Sequence, residues 1–131
     1  MTKIFSNIKN ERYKVEIKSS TNNVVIADEP LDKGGRDIGF SPYELLASAL
    51  AACTCITLKM YANHKGWNVD EVNIEIELEK DEKENKTIIH RKIILIGDLD
   101  EMQKARLLTV ANSCPIHKIL SNPIEIKTEL K

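Results

Sequence analysis

From Leu45 to Leu58 the chain carries no charged side chain, and this run lies inside a pattern with clear helix punctuation. Ser41 suits the N-cap, Pro42 the first helical position and Glu44 the third, which makes a capping box with proline at its start. Helical periodicity continues to His64 or Lys65. Gly66 is placed to be the left-handed residue after the helix, with Trp67 packing back as its apolar partner. A helix that is apolar almost all round has to be covered on every face. A small domain with a few short strands cannot surround it alone. The expectation is a central buried helix whose remaining cover comes from a second copy, an obligate homodimer.

The rest of the chain alternates. Ile4 and Phe5 start a first strand. Arg12 to Lys18 places Tyr13, Val15 and Ile17 on one face, and Val24 to Ala27 is another short strand. Pro30 to Phe40 carries Gly34, Gly35 and Gly39 and reads as a loop. Glu71 to Lys80 alternates strictly, with Val72, Ile74, Ile76 and Leu78 on one side. After a polar turn over Asp81 to Lys86, Thr87 to Gly97 returns as the second arm of an antiparallel hairpin. Asp98 can cap a second helix with Glu101 at its third position. That helix should end near Ser113, because Pro115 disfavours helical backbone in the residue before it. Ile124, Ile126, Thr128 and Leu130 predict a last strand. The result is an α+β fold in the order β-β(-β)-α-β-β-α-β, read as one domain over residues 1–131.

Composition narrows the function classes. The formal charge of -1 leaves no basic face, so no nucleic-acid partner is expected. Met1 to Asn7 holds no apolar run of signal-peptide length. The uncharged run is shorter than the roughly 18 to 20 residues that span a bilayer. A cytoplasmic protein without a membrane partner is the expectation. Three cysteines, an odd count, argue against a disulfide framework and leave chemistry, metal or packing.

At about 3.6 residues per turn, Leu46, Ala49, Cys53, Ile56 and Met60 share one stripe of the first helix. Cys55 points to nearly the opposite side, so Cys53 and Cys55 do not form a clamp. A buried cysteine is most simply a small apolar side chain, and Cys53 and Cys55 both allow that reading. Cys114 differs, since turn amides before Pro115 can face a thiolate. Cys114 and His117 have a CxxH spacing, but structural zinc needs four ligands, so no metal is expected. His64 and His90 are isolated, and no GxSxG elbow is present.

The segments Gly34-Gly35-Arg36-Asp37-Ile38-Gly39-Phe40-Ser41-Pro42-Tyr43-Glu44-Leu45-Leu46, Ala51-Ala52-Cys53 and Cys114-Pro115-Ile116-His117-Lys118-Ile119-Leu120 resemble the OsmC/Ohr family, the osmotically inducible and organic hydroperoxide resistance proteins. The Pro42-Tyr43-Glu44 start resembles an OsmC-like branch. The resemblance implies an intertwined α+β homodimer with active sites at the subunit interface. It implies a thiol-dependent peroxidase acting on organic hydroperoxides, with no bound cofactor and an external dithiol reductant. By the same resemblance Cys53 is the peroxidatic residue, Cys114 the resolving one, and Arg36 the activating cation. Lys33 and the more remote Arg12 are the other cations near that position. The family places a glutamate directly after the helix-start proline, whereas this chain has Tyr43, with Glu44 one residue later. Tyr43 can donate a hydrogen bond but cannot hold an arginine by charge. That departure keeps a second expectation open, a dimer of the same fold without peroxidase activity that binds a small apolar ligand. Apolar walls from Leu46, Ile56 and Met60 are expected around Cys53.

Overall fold

The computed structural model describes residues 1–131. The chain divides into two compact units, Met1–Leu46 and Ala47–Lys131. The first unit holds a three-stranded antiparallel sheet in the order β1-β2-β3, with β1 at Ile4–Ile8, β2 at Val15–Ser19 and β3 at Val24–Ala27. β2 starts later than alternation alone predicts, because the Tyr13 amide leaves the ladder and donates to Asp28. Asp28 is a buried carboxylate that also accepts from the amides of Glu29, Arg36 and Ile38. Burial by itself would raise its pKa. The four N–H donors, from Tyr13, Glu29, Ile38 and Arg36, outweigh it and hold the group below the ordinary carboxylate range. One side chain therefore organises the glycine-rich loop, which contains a single 3-10 turn at Leu31–Lys33. Gly35 and Gly39 are required there, since a Cβ would run into the Glu29 and Ile26 carbonyls respectively.

Helix α1, Pro42–Lys65, begins in the first unit and runs through the second. Its start is the expected capping box: the Ser41 amide donates to Glu44 Oε1 at 2.9 Å and the Glu44 amide to Ser41 Oγ at 3.2 Å. Its end is also as expected. Gly66 has φ +72°, and the Trp67 amide reaches back to the Ala62 carbonyl at 2.9 Å.

In the second unit, β4 (Asn68–Asp81) and β5 (Lys86–Asp98) pair antiparallel along their length. Val72, Ile74, Ile76 and Leu78 are half-buried while the residues between them are exposed, the alternation that the sequence predicts. Helix α2 spans Glu101–Ala111. The core joins Leu58 and Ala62 of α1, Val69 of β4, and Leu107 and Ala111 of α2, with Trp67, Val72, Ile93, Leu95 and Leu99 packed against it.

Three expectations need correction. The cap of α2 is Asp100 with Gln103, not Asp98 with Glu101; Asp98 stays in the β5 ladder opposite Asn68. Pro115 does more than end a helix. It is the first residue of a further short helix, α3 (Pro115–Leu120), capped by Cys114, because proline needs no amide partner at that position. Ile124 to Leu130 forms no strand: it pairs with none of the open edges that β1, β3, β4 and β5 leave. Within one chain α1 buries the stripe Leu50, Thr54, Leu58 and Ala62, while Ile56 and Met60 remain 58% and 66% exposed, the face for which a second copy was expected as cover. By length and composition alone α1 could cross a bilayer, yet its buried stripe is part of the core of a folded unit.

Candidate functional site

Two sulfurs far apart in sequence meet in the second unit. Cys53, in the middle of α1, is half-buried, and its Sγ lies 3.9 Å from Thr57 Oγ1. Cys114 is fully buried at the cap of α3, where its Sγ accepts from the His117 amide at 3.3 Å. The two thiols are neighbours, close enough that Cys53 favours the ionisation of Cys114. Cys55 is elsewhere, with its sulfur directed at the Val72 carbonyl of β4, as its position on the opposite face of the helix implies.

Burial alone would push the Cys114 thiol up. The His117 amide, the Cys53 thiol, the Thr54 hydroxyl and the charge of Arg91 act against it, and the thiol is held below the ordinary range. Three of these four come from residues adjacent to the thiol pair in sequence. Arg91 does not, and the sequence reading missed it.

Arg91 lies on β5 opposite Ile76, on the face that points to the helices, between the half-buried Ile89 and Ile93. From there Nη1 donates to Thr54 Oγ1 at 3.0 Å, and Nη2 reaches Asn112 Oδ1 at 3.1 Å and His117 Nδ1 at 3.0 Å. Guanidinium has only donors, so His117 Nδ1 must accept and the ring carries its proton on Nε2. Thr54 is fully buried; its one proton goes to the Leu50 carbonyl at 2.7 Å, and its oxygen accepts from Arg91. The available signal was an arginine at an inward position of an otherwise apolar strand face. A pocket of about 380 Å³ opens beside this cluster, lined by Arg91, Asn112 and His117 with apolar walls that include Leu50, Ile89 and Leu108. Leu46, Ile56 and Met60, the walls expected around Cys53, do not line this pocket and are exposed on α1.

The other predicted site residues belong to the first unit. The guanidinium of Arg36 is paired with Glu11 at 2.5 Å, both side chains exposed. Lys33 closes the 3-10 turn, Arg12 is exposed, Tyr43 is exposed at the start of α1, and Glu44 is engaged in the capping box. No group of three or more His, Cys, Asp or Glu side chains is arranged to hold a metal ion.

A family model described as OsmC-like protein matches residues 34–129. An OsmC-like protein from Mycoplasma pneumoniae superposes with a TM-score of 0.78 at 19% identity, covering 92% of this chain and 87% of that one. The organic hydroperoxide resistance protein OhrB of Bacillus subtilis superposes at 0.63 with 24% identity, over 100% and 98% of the two chains. An OsmC-like protein of unknown function from Vibrio cholerae gives 0.71 at 14% identity, over 91% and 92%. These likenesses establish a shared fold. No curated protein sequence matches the chain.

Proposed function

The chain belongs to the OsmC-like protein family, and from that premise we propose that it is a thiol-dependent peroxidase that reduces organic hydroperoxides. The observation that carries this reading is the meeting of an accessible thiol, Cys53, with a fully buried one, Cys114, whose ionisation is favoured. Peroxide can reach only the accessible sulfur. As its proton passes to a neighbouring acceptor, Cys53 attacks one peroxide oxygen. The O–O bond breaks, the alkoxide leaves and is protonated to the alcohol, and Cys53 becomes a sulfenic acid. The Cys114 thiolate then attacks the Cys53 sulfur. The S–S bond forms, the S–O bond breaks, and the departing hydroxide is protonated to water. An external dithiol restores both thiols by exchange. A cycle that returns to free thiols suits a reducing compartment, the cytoplasm.

Arg36 is carried into this reading as the cation that activates Cys53, with Lys33, Arg12, Tyr43 and Glu44 as supporting candidates. The active assembly is an intertwined homodimer. Its support is the outer stripe of α1, where apolar Ile56 and Met60 are more than half exposed.

The test is stopped-flow thiol loss after addition of an organic hydroperoxide, with intact mass under non-reducing conditions. Wild type should lose two thiols and two hydrogens per chain, mapped to Cys53 and Cys114, and Cys53→Ser should lose neither rapidly. Equal slow rates for both proteins would overturn the peroxidase. One observation favours the second reading, a family-fold dimer that binds a small apolar ligand: Tyr43 stands where the family has a carboxylate. An unchanged mass with a retained apolar ligand would establish that alternative.

A further inference from the structure

Resolution of the Cys53 sulfenic acid needs Cys114 as a thiolate, fixed in place, inside a region with no exposure to water. The groups that face its sulfur are Cys53 and Thr54 from α1, His117 from α3 and Arg91 from β5. Of these Arg91 alone carries a permanent charge. It also touches three helices at once. Thr54 lies on α1, Asn112 caps the end of α2, and His117 lies in the first turn of α3. The thiol pair spans α1 and the α2–α3 junction, so its separation depends on how those elements are tied. A charged side chain on an apolar strand face, between Ile89 and Ile93, is costly unless its donors are satisfied. Here three directed contacts engage three of its five N–H donors.

We propose, building on the peroxidase reading, that Arg91 is the positioning residue of the thiol pair: it ties α1, α2 and α3 together around Cys53 and Cys114 and so sets the approach of the two sulfurs for disulfide closure. Its bond to Thr54 fixes a hydroxyl that neighbours Cys114 and donates on to the Leu50 carbonyl. Its bond to His117 fixes the ring of the residue whose amide caps the same sulfur. Arg36 and Arg91 then have separate duties, the first toward attack at Cys53 and the second toward resolution at Cys114.

Two measurements on the full-length reduced protein test this. The first is titration of thiolate absorbance near 240 nm, with Cys114→Ser identifying the Cys114 component. The second is the rate of disulfide closure after one equivalent of cumene hydroperoxide, with dimedone trapping the Cys53 sulfenic acid. Arg91→Gln should lower the Cys114 thiolate fraction at neutral pH by about tenfold. It should slow closure to match and increase the dimedone adduct, while Arg91→Lys recovers most of the thiolate. A folded Arg91→Gln that titrates and closes like wild type overturns the proposal. Should Arg91→Gln not fold by circular dichroism, Asn112→Ala removes one of the Arg91 ties without touching the Cys114 sulfur. Slower disulfide closure supports the proposal and an unchanged rate overturns it. The two readings fail differently. A wild type that forms neither sulfenic acid nor disulfide ends the peroxidase reading, and the titration still decides whether Arg91 holds the thiolate.

Discussion

Cys53 and Cys114 are the same residue type in opposite surroundings, and the difference assigns their roles. Cys53 sits on a helix face that solvent reaches, while Cys114 has no exposed surface and has an amide pointed at its sulfur. The lowered ionisation of Cys114 has a consequence for stability as well as for chemistry. In the unfolded chain a thiol ionises near the ordinary value of about 8.5. The folded value lies lower, so the native state favours thiolate where the unfolded state still holds its proton. That contribution is fully present above the unfolded value and is lost as pH falls through the folded one. Urea midpoints of the reduced protein should therefore rise with pH from that depressed value up to about 8.5, and Cys114→Ser should lose that component of the slope. Parallel pH profiles for the two proteins would show that the native environment of Cys114 does not favour its charge.

Helix ends were legible where one local signal decided the geometry. Ser41, Pro42 and Glu44 specify the start of α1, and Gly66 specifies its end, because each residue supplies a hydrogen bond or a backbone angle that the terminus needs. The start of α2 has two acidic candidates two residues apart, Asp98 and Asp100, and both precede an acidic or amide residue at the third position. Periodicity cannot choose between them. The ladder can, because Asp98 is held by its pairing with Asn68 and so Asp100 is the first residue free to cap. Asp100→Ala should accordingly cost about 1 kcal/mol, read as a lower urea midpoint. Asp98→Ala should cost clearly less, and the reverse ranking would return the cap to Asp98. The same limit hid Arg91. Its strand was visible from alternation, but its duty comes from contacts with three helices that no local pattern encodes. The Cys53–Cys114 pairing was likewise available only through resemblance, since spacing along the chain carries no information about it.

At the scale of the whole molecule, the unanswered question of the sequence is what covers α1. Helix α1 buries four residues spaced by four, and two of them, Leu58 and Ala62, join a core made with β4, β5, α2 and the flanking Trp67 and Leu99. The outer stripe remains, with Ile56 at 58% and Met60 at 66% exposure, and the alternating tail Ile124 to Leu130 lies unpaired with Ile126 at 83%. Leaving such a stripe in water forfeits about 25 cal/mol for each Å² that could be covered. A second copy offers the same surface, and a two-fold contact is self-complementary by construction. Met60 lies one turn from Ile56, at i+4 on the helix, so both would fall within one contact. Ile56→Glu together with Met60→Glu should abolish the dimer proposed for this chain, seen as a halved mass by light scattering behind size exclusion. Leu108→Glu, at an exposed position on α2, serves as the control and should leave the mass unchanged. A wild type that runs as a monomer at micromolar concentration would remove the dimer altogether. A double variant that keeps the wild-type dimeric mass would move the interface off this stripe of α1.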